Sequence, residues 1–128
     1  MQEITANVNW LAVIVGAVVA FLLGWLWYSP VLFGRKWAAG VGVELGSASA
    51  MPVGAMVAQV VALLLLAWLF GITASNNALL TIILVVLTIA AFLISSGLFV
   101  KKSTEAVMIE AGYVVVAGVI MFLAQGIL

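Results

Sequence analysis

Hydrophobic positions along the chain gather into long apolar runs separated by short polar marks. Residues 10–28 form the first run, nineteen positions without a charge. A bilayer core of about 30 Å is crossed by about 20 helical residues, so this run predicts a membrane-spanning helix. Asn7 or Asn9 caps its start and Pro30 stops it. Residues 45–100 carry no charge over 56 positions, too many for one crossing. The polar cluster Thr73-Ala74-Ser75-Asn76-Asn77 divides them. The pattern therefore predicts a second helix over 51–72 and a third over 77–100. Pro52 falls in the first turn of the second, where its missing N–H does no harm. Lys101-Lys102-Ser103-Thr104 ends the third helix and opens a fourth over 104–127. Ser103 or Thr104 is its N-cap, and Glu105 suits the positive end of its dipole. With the first helix taken as 9–29, the expected fold is all-α. It is a single transmembrane domain over 1–128, four helices in a bundle.

Residues 30–50 are the one long connection. Arg35, Lys36 and Glu44 stand there among Val31, Leu32, Phe33 and Trp37. That mixture predicts a short segment lying in the membrane interface with its apolar side down. The later part, 38–50, is rich in Gly, Ala and Ser and predicts a mobile stretch.

Composition agrees with a membrane solvent. The chain is 68% hydrophobic and 6% charged, where a soluble domain averages about 25% charged. Four Lys/Arg against four acids give a net charge of zero, which excludes a basic nucleic-acid footprint and leaves the lipid bilayer as the implied partner. Residues 1–9 hold no Lys or Arg, unlike a cleavable signal. All four cations, Arg35, Lys36, Lys101 and Lys102, fall in the first and third connections. The positive-inside rule then makes loops 30–50 and 101–103 cytoplasmic and both termini external. Trp10 and Trp68 mark the outer boundary; Trp25, Trp27, Tyr28 and Trp37 mark the inner one.

The chain has no Cys, no His and no Asp. That excludes thiolate chemistry, His-based triads and the usual zinc or iron ligands. No enzymatic activity, metal or cofactor is expected. Glu110 is the one acid inside an apolar run, about 9 Å along the fourth helix at 1.5 Å per residue. Its own helix offers no cation at three or four residues' distance. Arg35, Lys36 or the Tyr28 hydroxyl are the expected partners, with Tyr113 one turn on along the same face. The plainer alternative is a loop lysine that pairs with Glu110 at the headgroups. Gln59 is an amide deep in the second helix. It serves either an interhelical hydrogen bond or a polar path. At Trp27-Tyr28-Ser29-Pro30, the proline frees carbonyls near Leu26 and Trp27, which with Tyr28 and Ser29 form a candidate ligand contact; the alternative is an aromatic anchor and helix stop.

Ala12, Gly16, Ala20 and Gly24 make a small-residue stripe on the first helix, and Gly54, Ala58 and Ala62 another on the second. Such stripes permit close helix approach, either within one chain or as a homo-oligomer seam. Ser29-Pro30-Val31-Leu32-Phe33-Gly34-Arg35-Lys36 and Ser95-Ser96-Gly97-Leu98-Phe99-Val100-Lys101-Lys102 share Ser, Leu, Phe and both cations at an offset of 66. A duplicated hairpin or two similar inner-boundary helix ends would each produce that.

Asn9-Trp10, Trp27-Tyr28-Ser29-Pro30 with Leu32-Phe33-Gly34 and Trp37, and Ala111-Gly112-Tyr113 together resemble the DUF1761 family, small bacterial integral membrane proteins of unknown function. The likeness runs over nearly the whole chain. It departs at Val114, where the family implies a polar residue or His, and in loop one, whose acidic stretch is reduced to Glu44. The resemblance implies four helices in a bacterial inner membrane and no assigned chemistry. Two functions fit the residues. One is non-enzymatic helix–helix association, as a homo-oligomer or a subunit of a membrane complex. The other is a small transporter or channel subunit with a polar site near the cytoplasmic face, built from Tyr28, Ser29, Gln59, Glu110 and Tyr113. They part on whether those groups converge on one cavity.

Overall fold

The computed structural model describes residues 5–29, 31–42 and 53–128. Five helices are formed there: α1 (Trp10–Trp27), α2 (Gly34–Val41), α3 (Val53–Ser75), α4 (Leu79–Phe99) and α5 (Thr104–Ile127). The protein is all-α, and α1, α3, α4 and α5 are each long and apolar enough to cross a membrane. The expectations placed on Pro30, Glu44 and Pro52 lie outside the described residues.

Local chemistry sets the ends. Asn9 caps α1, its side chain accepting from the Ala12 N–H at 3.2 Å. Ser103 caps α5 in the same way from the Ala106 N–H at 3.0 Å. These side chains satisfy donors that an α-helix leaves open at its N-terminus. The C-termini of α3 and α4 close by one shared device. The Ala78 N–H reaches the Thr73 carbonyl and Asn77 that of Ala74; the Lys102 N–H reaches Gly97 and Lys101 that of Leu98. Asn77 (φ 55) and Lys101 (φ 64) take the left-handed position this closure needs. Thr73 and Ser75, expected in the turn, belong instead to α3. Their hydroxyls donate back to the Leu69, Phe70 and Ile72 carbonyls, and the helix runs three residues further than expected.

α5 is the hub. It packs against α1, α2, α3 and α4, while α1 also packs on α3 and α3 on α4. Its buried face is built largely of small residues, among them Ala106, Ala111, Ala117 and Gly118, so neighbouring backbones approach closely where lipid supplies no hydrophobic drive. Phe70, Ile82, Met121 and Val107 fill the interior. Outward, Leu11, Leu22, Leu84 and Val119 stand exposed. In water such a surface would associate; hydrocarbon solvates it.

The small-residue stripe of α1 serves this packing. Ala12 and Ala20 are fully buried, and Gly16 lies against Ala124 and Met121 of α5. On α1, then, the intramolecular reading holds and the seam reading does not. Gly54, Ala58 and Ala62 of α3 are exposed, and a Cβ on Gly54 would meet no neighbouring element within 4 Å.

Residues 38–41, expected to be part of a mobile stretch, are the last turns of α2, and Ala38 is buried. The reason is a close contact. The Gly40 carbonyl accepts from the Ser103 N–H at 3.0 Å, and a Cβ on Gly40 would run into Ser103 Oγ and Ala106 Cβ. The offset of 66 does not carry over to the elements. Arg35 and Lys36 lie within α2 while Lys101 and Lys102 follow a helix end, and Ser29 lies beyond α1 while Ser95 lies within α4.

Candidate ligand-binding pocket

The end of α1 turns back on itself. The Ser29 N–H and hydroxyl both donate to the Leu26 carbonyl, at 3.1 and 2.6 Å, and the Phe33 N–H donates to the Trp27 carbonyl at 3.1 Å. The carbonyls expected to be freed for a ligand are therefore occupied by the chain itself. Ser29 spends its hydroxyl there and does not line the pocket described below. The turn also leads into α2, which lies against the first turns of α5. Trp27 pins the junction, its indole N–H donating to the Ile109 carbonyl at 3.0 Å.

Two turns into α5 stands Glu110. Its carboxylate accepts from the Trp37 indole N–H at 2.9 Å and from the Lys102 ammonium at 2.9 and 3.1 Å. Lys102 is 30% exposed and Glu110 14%, so the pair sits at the edge of the bundle rather than in water. The cation is thus a loop lysine and not Arg35 or Lys36. The closure at the end of α4 explains this: it folds the chain back over the start of α5 and brings Lys102 above Glu110.

One turn deeper, the Tyr113 hydroxyl donates to the Ala20 carbonyl at 2.6 Å. Gly24 makes that reach possible, because a Cβ there would lie 2.9 Å from the hydroxyl oxygen. Gln59 approaches the same hydroxyl from α3. The rings of Tyr28 and Tyr113 meet edge to face at 5.7 Å, and those of Tyr28 and Trp37 at 5.3 Å. Tyr28 lies one residue past α1. Burial, and after it the nearby Glu110 carboxylate, raises its pKa above the ordinary phenol value.

These groups surround one half-enclosed cavity of about 230 Å³. Tyr28, Gln59, Glu110 and Tyr113 all line it, brought from the end of α1, from α3 and from α5. Phe21, Trp25 and Trp37 supply aromatic walls, and Gly24 of α1 with Ala55 and Met56 of α3 supplies the rest. In sequence, Trp25 and Trp37 read as anchors at the membrane boundary. The part that Trp37 plays depends on where α2 docks, which no local pattern states. A second groove, lined by Phe70, Val86, Gly118 and Phe122 among others, is almost wholly apolar and brings no polar groups together. Among the described residues there is no cluster of three metal-ligating side chains.

The sequence matches the family described as "Protein of unknown function (DUF1761)" over residues 11–126. No curated protein and no solved structure matches the chain.

Proposed function

The chain belongs to the DUF1761 family, and on that premise we propose that it is a non-enzymatic membrane protein that binds a small amphipathic molecule in the pocket between α1, α2, α3 and α5. It acts there as a small transporter or as the binding subunit of a membrane complex. One observation carries the reading: Tyr28, Gln59, Glu110 and Tyr113 converge on a single aromatic-walled cavity. A binding site is typically concave and mostly apolar, with a few polar groups that fix orientation. An ionisable group within a spanning helix carries a desolvation cost that function commonly explains. The absence of His, Cys and Asp from the sequence supports binding without covalent chemistry. Arg35, Lys36, Lys101 and Lys102 belong to the pocket end, so by the positive-inside rule the pocket opens toward the cytoplasm of a bacterial cell and both termini lie outside.

The test is a thermal-shift screen of small amphipathic compounds on the purified protein in lipid nanodiscs, run beside Ala55→Phe. Ala55 lines the cavity and is exposed, so the larger ring fills the pocket without disturbing the core. Compounds that stabilise the wild type should lose that effect on Ala55→Phe. An identical response of the two proteins would refute the pocket as the site.

A second reading, homo-oligomerisation, has its own observation. Gly54, Ala58 and Ala62 leave a smooth outward strip on α3 against which a second helix can pack closely.

A further inference from the structure

We infer that the pocket's ligand is an organic cation with an apolar or aromatic body, and that Lys102 is its built-in competitor for the Glu110 carboxylate. The inference rests on the pocket reading above and gives it a substrate class.

Electrostatics carries the argument. Among the side chains that line the cavity, Glu110 supplies the one carboxyl group. Arg35, Lys36, Lys101 and Lys102 do not line it. The remaining wall is mostly aromatic, and an aromatic face carries the negative side of the ring quadrupole. Phe21 and Trp25 meet at an interplanar angle of 86°, Tyr28 and Trp37 at 71°, and Tyr28 and Tyr113 at 62°. Rings set this steeply do not stack on one another, and aromatic walls are the surfaces that receive quaternary ammonium groups. An anion entering the same space would meet the Glu110 carboxyl group and no Lys or Arg side chain in the lining.

The carboxylate is already held by a cation, and the manner of holding is informative. Lys102 reaches it from outside the cavity on a flexible four-carbon stem and is 30% exposed. Trp37 holds Oε2 from within the pocket at 2.9 Å. A ligand cation can therefore displace the ammonium into water while the indole keeps the carboxylate aimed at the cavity. The Lys102 backbone is fixed independently, by its N–H on the Gly97 carbonyl at 3.0 Å, so releasing the side chain does not require the turn to open.

The experiment is a binding titration in lipid nanodiscs, read by tryptophan fluorescence, since Trp25 and Trp37 both line the pocket. Signals are corrected for partition into empty nanodiscs. Three probes of similar size are compared: benzyltrimethylammonium, its neutral carbon isostere neopentylbenzene, and the anion 3-phenylpropanoate. The cation should bind about tenfold or more tighter than the isostere, a gap of about 1.4 kcal/mol. Lys102→Met should tighten the cation several-fold and leave the isostere unchanged. Glu110→Gln should erase the preference for charge. If Glu110→Gln does not fold, the wild-type comparison and Lys102→Met still decide. Equal binding of cation and isostere, or tightest binding of the anion, overturns the cation assignment and leaves the pocket reading intact. A Lys102→Met protein with unchanged cation affinity overturns the competitor role. If none of the three binds, the cation assignment falls, and a thermal-shift screen that also finds no Ala55-sensitive compound brings the pocket reading down with it.

Discussion

Lys101 illustrates how single residues are conscripted by the fold. It holds the left-handed position at the end of α4 with φ 64, where a side chain costs about 1–2 kcal/mol that glycine does not. Lys101→Gly should therefore be more stable than Lys101→Ala by about 1 kcal/mol, measured by unfolding in mixed micelles; both variants lose the charge, so the comparison isolates the backbone. Tyr113 is the complementary case inside the bundle. Its hydroxyl bond to Ala20 spans 93 positions in sequence. Tyr113→Phe should cost about 0.5–1.5 kcal/mol, because it removes one buried donor and leaves the ring's packing in place. At this scale the sequence was partly legible. Glu110, Gln59 and the two tyrosines stand out as polar groups in apolar runs, and their chemistry marks them without any fold. Ser29 stands out equally and proves local, since a hydroxyl at a helix end finds a carbonyl three residues back more readily than a ligand. A loop lysine as the partner of Glu110 is legible in the sequence as the plainer reading, but which lysine is not, because its side-chain direction depends on the turn that precedes it.

The same split recurs among the elements. Spanning helices are governed by length and hydropathy, which are local properties, and the expected segments 9–29, 51–72, 77–100 and 104–127 overlap α1, α3, α4 and α5 closely. Their packing partners are not local. Two stripes of small residues look alike in sequence, yet that of α1 is buried against α5 while that of α3 faces outward. Gly16→Leu should accordingly lower stability by about 1–3 kcal/mol or more through overpacking, whereas Gly54→Leu should stay within about 0.5 kcal/mol. Size-exclusion with light scattering on Gly54→Leu then tests the oligomer reading: a fall in mass without loss of melting temperature is the expected signature of an α3 seam. The short helix α2 was foreseen as an interfacial segment but not as a wall of the pocket. Its docking depends on Gly40 lying bare against Ser103 and Ala106. Gly40→Val should lift α2, break the Trp37–Glu110 bond and red-shift tryptophan emission.

For the whole molecule, charge and aromatic placement give an orientation with two ends of different character. The Trp10 and Trp68 rings meet at 5.6 Å at one end; the four cations and the pocket belong to the other. Because the protein contains no cysteine, single-cysteine probes are clean. In intact cells Asn76→Cys should react with an impermeant maleimide and Glu105→Cys should be protected; the reverse pattern would invert the assignment. The proposed function stands or falls with the pocket, and a density map of the protein in lipid nanodiscs is the decisive measurement. Discrete non-protein density should be enclosed by Trp25, Tyr28, Trp37 and Gln59, within contact distance of the Glu110 carboxylate. A cavity collapsed so that these side chains touch one another, or one filled by an acyl chain continuous with the bilayer, would contradict it.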